Sequence, residues 1–525
     1  MLSGDAELTS HPAARNRVPP SIAAIGALFA LLSADVLGGS SHAAVFALGL
    51  VAFVVTMWLV RLAKSWTVLL GTIVCVVLLI PNNGSYVLPE ALPFQLEPYR
   101  VVIGLLELGW VISLLIDPRV RSYTSGFEGP MLMILAVTLG SDLANPHHVA
   151  AVSSFTIKAL WLFLSFVLFF YVVVSVVRTR EMIERILTVF VCAGTIIAIA
   201  AIYQRRSGYN VFDHLQSLLV VFHYVAASAS AEERGGYVRA FAGAGNPIEL
   251  ATLMAMLVPL AVYLAISRRR RIWFLSAVLM LLADFSGGSR TGIIGIGVIG
   301  LVFLWLRPRQ TLRCWPALLP IFVVLHFAAP GAIGSVIGEF FPKGGIIHQQ
   351  EETEIGPHGE TKYASRLSRI GPVVHEYLEG DPLFGIGYGT RVTGYHNQAA
   401  DNAIILDNEW LDTLLETGIL GVFAWLWLFR RIVRRLSIRA KLEGDTADGW
   451  LAVALAASIS AYAVAMYFYD SFGFVQATFV MFTLAAFAST VLRLPSRASE
   501  PELAGRLTRA PRPGRWLRWP QPATE

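Results

Sequence analysis

The sequence predicts an all-α fold, a polytopic transmembrane helix bundle of about 12–14 spans with a large outer-face loop containing short helices. Three observations predict it. Charged residues make up 15% of the 525-residue chain and hydrophobic ones 55%, whereas a soluble domain carries about a quarter charged residues. Apolar runs near the roughly 20 residues needed to cross hydrocarbon recur along almost the whole length. Basic residues gather at the ends of alternate runs, as they do where cytoplasmic loops retain Arg and Lys.

Taken in order, the spans fall at 20–36, 43–61, 66–81, 101–116, 130–145, 156–177, 186–203, 248–266, 272–286, 291–306, 316–333, 412–429, 450–469 and 472–492. Arg15 and Arg17, then Arg61 and Lys64, then Arg119 and Arg121, sit between successive pairs of spans. So do Arg178, Arg180 and Arg185, the run Arg268–Arg271, Arg307 with Arg309 and Arg313, and Arg430–Arg435. All these groups lie on one side if both termini are cytoplasmic, and an error of one span would throw half of them outside. The first span is weakly hydrophobic and follows a polar segment with two prolines, so it reads as an uncleaved helix.

This topology divides the chain into a cytoplasmic segment 1–19, an N-terminal bundle 20–203, an outer loop 204–247, central helices 248–333, a large outer loop 334–411, C-terminal helices 412–492 and a basic cytoplasmic tail 493–525. Beyond Leu494 the tail sets six arginines and two tryptophans among prolines, a composition that reads as disordered and suited to anionic lipid or to fixing topology alone. Residues 211–225 have an apolar face and a thin polar one, the pattern of an interfacial helix.

Composition also excludes. The net charge of +5 does not argue for nucleic acid, because the basic residues mark the ends of apolar runs. Cys75, Cys192 and Cys314 lie in apolar runs or at a cytoplasmic edge, leaving no disulfide framework and no CxxC site. His147 with His148, and His348 with His358, show no zinc-ligand spacing, so no metal or cofactor is expected.

Arginines in the outer loops are not explained by topology. Arg239 lies about nine residues before a span, at headgroup level. Arg366 and Arg369 are three apart and share a face of a helical turn. Gly371-Pro372 behind them reads as a helix start, so two guanidiniums beside a helix N-terminus form an anion site. Arginine also offers phosphate a bidentate contact that lysine lacks. Salt bridges to Glu376, Glu379 or the acidic Glu351–Glu354 patch are the competing use of the same arginines. Arg290, in a short turn behind Asp284, either faces the same cavity or pairs with Asp284 or lipid phosphate.

Three stretches resemble the O-antigen ligase and Wzy-type polymerase superfamily. They are Arg239-Ala-Phe-Ala-Gly-Ala-Gly-Asn-Pro-Ile-Glu, then Gly287-Gly-Ser-Arg290-Thr-Gly, and a long segment. That segment holds Ser365-Arg-Leu-Ser-Arg369, Asp381-Pro-Leu-Phe-Gly-Ile-Gly387, Asp407-Asn-Glu-Trp and Leu414-Leu-Glu-Thr-Gly418-Ile-Leu-Gly421. The pairs Arg234–Gly245 and Arg369–Gly380 also fit the family's Arg-to-Gly spacing of eleven positions.

The resemblance implies a metal-independent, inverting glycosyltransferase in the bacterial inner membrane, acting on a glycan carried by undecaprenyl pyrophosphate. The acceptor is a second glycan (polymerase) or a lipid (ligase). Membrane lipids and other envelope polysaccharide assembly proteins are further implied partners. In this reading Arg239, Arg290, Arg366 and Arg369 bind the diphosphate, and Tyr388 stacks on a sugar.

The ligase branch carries a histidine where this chain has Asp407-Asn408, and its absence favours a polymerase. Asp407 is either the N-cap of the next helix or the base that deprotonates the acceptor, with Glu409 and His396 as alternatives and Asn408 beside the substrate. Glu416, one to two turns deeper, reads as structural. A transporter or flippase for the same lipid-linked glycan is the reading from another class. It calls for repeat symmetry and ionisable groups near the bilayer midplane, and the spans carry few charges.

Overall fold

The computed structural model describes residues 66–82, 86–87, 97–116, 122–217, 219, 222–224, 233–234, 237–313, 316, 352–355, 361–364, 374, 381–390 and 408–495. All of them belong to one compact unit, 65–89 with 95–525; a second unit, 1–64 with 90–94, lies outside the described residues.

The fold is all-α and multi-pass. The described helices are α1 (Trp66–Leu79), α2 (Pro98–Ile116), α3 (Glu128–Ala144), α4 (Pro146–Ala151), α5 (Ser153–Val176), α6 (Arg180–Ser207), α7 (Pro247–Arg268), α8 (Arg271–Ser286), α9 (Arg290–Leu306), α10 (Pro308–Arg313), α11 (Glu409–Glu443), α12 (Ala447–Ala465) and α13 (Val475–Arg493). Seven of them, α2, α5, α6, α7, α11, α12 and α13, are long and apolar enough to cross a membrane, and α1 and α9 are shorter apolar helices. The expected spans 20–36, 43–61 and 316–333 lie outside the described residues.

Side-chain caps start several helices where the sequence changes from polar to apolar. Thr179 accepts from Met182 N at α6, Asn246 from Glu249 N at α7 with Pro247 in the first turn, and Thr446 from Gly449 N at α12. Helices α7, α12 and α13 form the centre. Their residues are buried almost all the way round, as an apolar helix inside a bundle must be. Small residues let them approach: Ala255, Ala457 and Ala461 make a cluster with Ile299 of α9.

One end of the bundle is basic and tied down. Arg307 donates to the carbonyls of Ala440 (2.8 Å) and Gly444 and lies 3.4 Å from Asp445. Arg180 bridges to Asp448 at 2.7 Å, and Arg180 and Arg439 both donate to the carbonyl of Pro495. These contacts bring α6, α10, α11, α12 and the end of α13 to a common rim.

The connecting segments add three two-stranded antiparallel pairs: β1 (Tyr86–Val87) with β2 (His223–Tyr224), β3 (Glu233–Arg234) with β4 (Tyr237–Val238), and β5 (Glu352–Ile355) with β6 (Thr361–Ala364). The stretch 211–225, expected as one interfacial helix, is a 3-10 turn over Val211–Ser217 followed by β2. The Tyr86 hydroxyl accounts for the early stop, since it donates to Phe212 O (2.9 Å) and accepts from Leu215 N (2.8 Å).

Candidate functional site

The end opposite the basic rim gathers most of the buried polar groups that the motifs contribute. Its centre is a broken helix. At Gly418 the backbone of α11 swings to φ 66°, ψ −168°, which interrupts the helical hydrogen bonds on both sides. In hydrocarbon such freed groups must find partners within the protein. The turn 381–390 supplies them: Ile386 N donates to Leu415 O (2.9 Å), Gly387 N to Glu416 O (3.2 Å), Ile419 N to Pro382 O (3.0 Å) and Leu420 N to Leu383 O (3.4 Å).

The approach is so close that a Cβ on Gly385 would run into Leu415 O, and one on Gly418 into Leu383 O. Both glycines also hold positive φ, a conformation that other residues rarely adopt. Asp381-Pro-Leu-Phe-Gly-Ile-Gly387 and Leu414-Leu-Glu-Thr-Gly418 are therefore two halves of one structure, a loop seated in a helix break.

The turn is held from its other side by α3 and α5. Asn145 donates to Gly385 O (2.8 Å), Asp142 accepts from Tyr388 N (2.7 Å), and Thr156 donates to Gly389 O (3.4 Å). Between the turn, α5, α11 and the α12–α13 connection lies a cleft of about 320 Å³. Its acidic wall is Glu409, Asp412 and Glu416, set at helical spacing on one face of α11, together with Asp470. Its aromatic wall is Phe163, Tyr388 and Phe472, with ring centroids of 5.6 Å between Phe163 and Tyr388 and 6.4 Å between Phe163 and Phe472. Burial, with the carboxylates of Glu416, Glu409 and Asp142 nearby, pushes the Tyr388 phenol well above its ordinary value. The hydroxyl therefore stays protonated and is a hydrogen-bond donor. Aromatic faces, carboxylate acceptors and a phenol donor form a surface that matches a polyhydroxylated ligand.

Arginines occupy the neighbouring quarter. Arg205, near the end of α6, donates to Ser286 O (3.0 Å), and Arg239 Nε donates to Gly287 O (3.2 Å). Arg290 opens α9 three residues later. Three guanidinium-bearing residues from separate segments thus meet around the α8–α9 turn. The strand-to-helix turn 239–247 is fixed from several directions. Gln204 accepts from Phe241 N and Ala242 N, Gln476 donates to Gly243 O, and Glu249 accepts from Gly245 N, Gln476 N and Ala477 N. Asp284 does not serve Arg290 as a hydrogen-bond partner: both its carboxylate oxygens are buried without one among the described residues. Among the described residues no three of His, Cys, Asp and Glu converge as metal ligands.

Of the residues singled out in the sequence, Arg239 and Arg290 come to the same turn, while Tyr388 and Glu409 come to the same cleft. Asn408 provides the N-cap of α11, accepting from Leu411 N at 3.2 Å, while its own N–H donates to Asp470. The capping function considered for Asp407 thus falls to its neighbour. Glu409 accepts from Phe472 N at 2.9 Å, and its N–H donates to Met466 O. Asp407, His396, Arg366 and Arg369 lie outside the described residues. Glu416, expected to be structural, lines the cleft, and Asp412, Asp470 and Arg205 were not anticipated.

Architecture and site together define an integral membrane protein with a polar, acidic cleft and an arginine-rich turn at one end of a helical bundle. Residues 275–426 match the O-antigen ligase family, which bears out the resemblance carried by the motifs. The match runs from α8 through the seated turn and the break in α11, ending beyond the last cleft-lining residue of that helix. No match was found among curated proteins.

Proposed function

We propose that the protein is a glycosyltransferase of the bacterial inner membrane, with both termini cytoplasmic. It joins undecaprenyl-pyrophosphate-linked oligosaccharides into O-antigen or exopolysaccharide on the outer face. The observation that carries this reading is that the family match covers both the α8–α9 turn, where the arginines meet, and the cleft-forming half of α11. The reaction brings together two chemically different groups, the donor's diphosphate at the membrane surface and the hydroxyls of an acceptor glycan, and the site offers each a matching surface.

Arg239 and Arg290, with Arg205 behind them and Arg366 and Arg369 assigned to the same task, hold the diphosphate. Guanidiniums suit phosphate because they give charge-assisted, bidentate contacts. The acceptor glycan lies against Tyr388 and Phe472, its hydroxyls directed at the carboxylates. The acceptor oxygen forms a bond to the anomeric carbon as the bond to the diphosphate oxygen breaks. The electron pair leaves on the diphosphate, the anomeric centre inverts, and the proton passes to a carboxylate.

Asp407 is the first assignment for that base, with Glu409 and His396 as alternatives; Glu416 joins them because it faces the cleft. A positioned base contributes about 10²–10⁴-fold, and charge neutralisation of the leaving group by arginine makes a metal unnecessary to the path. The missing histidine before α11 favours polymerisation over ligation.

Reconstitution with a lipid-linked repeat unit tests the proposal. Chain lengthening by the wild type, lost in Arg239→Ala and kept by an exposed-surface control such as Arg309→Gln, supports it. Transfer of single glycans to a lipid acceptor instead would assign a ligase. Glycan crossing the bilayer without a new bond would assign transport.

A further inference from the structure

The basic rim holds a second site, of opposite charge to the cleft. Within six residues of α11 the chain places Arg430, Arg431, Arg434 and Arg435, and these four line a pocket of about 320 Å³ together with Trp427 and Ile438. A topology signal needs charge on the correct side of the membrane, but it does not need four guanidiniums around one hollow.

All six lining residues belong to α11, and two of its arginines are tied to a second segment. Arg431 Nε donates to Gly126 O at 3.0 Å and Arg435 to the same oxygen at 3.1 Å, and Arg435 lies over the Phe127 ring at 6.0 Å. Gly126, at φ 79°, permits this: a Cβ there would stand 2.7 Å from the Arg435 guanidinium. Two arginines are thus anchored by the segment leading into α3. Arg430 and Arg434, one turn apart and exposed, make no hydrogen bond or ion pair among the described residues.

The surroundings name the ligand. From the break at Gly418 to Arg430–Arg435 is roughly 18–26 Å along the helix, the far side of a hydrocarbon core about 30 Å thick. The same helix exposes Ile419, Phe423 and Leu426 on the way, residues fit to meet acyl chains. Trp427 sits where those apolar residues give way to arginine, the position of an interfacial aromatic. We infer that this pocket binds an anionic phospholipid, its phosphates between Arg430, Arg434 and the anchored pair and its acyl chains along Phe423 and Leu426. Four guanidiniums match a headgroup with two phosphates.

Native mass spectrometry of the full-length, detergent-solubilised protein tests this, titrating tetraoleoyl cardiolipin with dioleoyl phosphatidylcholine as the neutral comparison. At about a kilocalorie per mole for each arginine at an anionic surface, Arg430→Gln with Arg434→Gln should weaken cardiolipin binding about 30-fold. Arg309→Gln with Arg313→Gln, neutralising two exposed arginines of α10 at the same rim, should leave it within about twofold. Equal weakening by both pairs, or cardiolipin retained no better than phosphatidylcholine, would overturn the site. So would inorganic pyrophosphate displacing the lipid at equal concentration, since the pocket would then be one for a soluble anion. Neither changed arginine of the test pair makes a hydrogen bond or ion pair among the described residues, so a protein of unchanged elution volume and melting temperature is expected from both.

Discussion

Replacing Gly418 by alanine strikes the joint on which the site is built. The residue sits at φ 66°, ψ −168°, a region open essentially to glycine alone, and forcing alanine into it costs about 1–3 kcal/mol. The added Cβ would also meet Leu383 O and stand 2.7 Å from Phe384 N, so the turn 381–390 must back away. Withdrawal lengthens the four hydrogen bonds between that turn and α11, and each buried group left unpaired adds about 1–3 kcal/mol. Allowing for two of the four groups finding new partners, the loss is about 3–9 kcal/mol, a large share of the roughly 5–15 kcal/mol by which a domain is stable.

Hydrogen exchange in detergent or nanodiscs reads it directly. The amides of Ile386 and Gly387 should exchange at least about 100-fold faster in Gly418→Ala, the fold-change equivalent to about 3 kcal/mol. Apparent melting should drop by about 5 °C or more. Gly297→Ala is the control, because Gly297 is helical with nothing within 4 Å of its Cβ position. It should be neutral or stabilising by up to about 1 kcal/mol. Equal behaviour of the two variants, with Ile386 and Gly387 still protected, would refute the loop-in-helix reasoning.

Glu249→Ala removes the acceptor for three backbone N–H groups that join the 239–249 turn to α13. It should cost about 2–5 kcal/mol by thermal unfolding, while Glu249→Gln recovers part of that. In the transfer reaction Arg239→Ala should lower kcat/KM about 10–100-fold, the loss of one charge-assisted phosphate contact. Arg239→Lys should recover part of it, and an unchanged kcat/KM would remove Arg239 from the donor site. For Tyr388 the folded state holds its proton to a higher pH than the unfolded chain. Stability from this group is therefore complete below the ordinary phenol value near 10 and falls as pH rises beyond it. Tyr388→Phe should flatten that alkaline decline, which denaturation at pH 9 and pH 11 measures. Among the carboxylates, the one whose change to the amide abolishes the acidic limb of the pH–rate profile without weakening glycan binding is the base. Glu416→Gln, Glu409→Gln and Asp407→Asn are the variants to compare.

Hydropathy and charge are properties of whole segments, which is why the helices α1–α3, α5–α9 and α11–α13 lie within a few residues of the expected spans. α11 is the partial exception. Its apolar stretch ends near Phe429, but the helix runs on through the arginines to Glu443, because those charges stand at a rim rather than inside the bilayer. The break at Gly418 was not legible, since a glycine inside an apolar run has the same hydropathy whether the helix is straight or interrupted. What decides is a partner 33 residues earlier, Gly385, that approaches it only in three dimensions. Asp407 and Asn408 are both good caps by composition, and only the extended backbone at Asn408 (φ −155°) selects between them. Depth along the chain makes Glu416 read as structural, whereas its helical spacing from Glu409 and Asp412 puts all three on one face. Arg205 stood at the end of an apolar run, where arginine is commonplace, and its contact with Ser286 is 81 residues away in sequence.

The central claim is that arginines of the α8–α9 turn and carboxylates of the cleft serve one transfer, the arginines on the donor's diphosphate and the carboxylates on the acceptor's hydroxyl. It is tested most directly by single-turnover reaction of radiolabelled lipid-linked repeat unit with purified protein in proteoliposomes. New glycosidic bonds should appear with stoichiometric release of undecaprenyl diphosphate, and both should be lost together in Arg239→Ala and in the combined Glu409→Gln, Glu416→Gln variant. Bond formation undiminished in either variant, or label translocated with no bond formed, would contradict it.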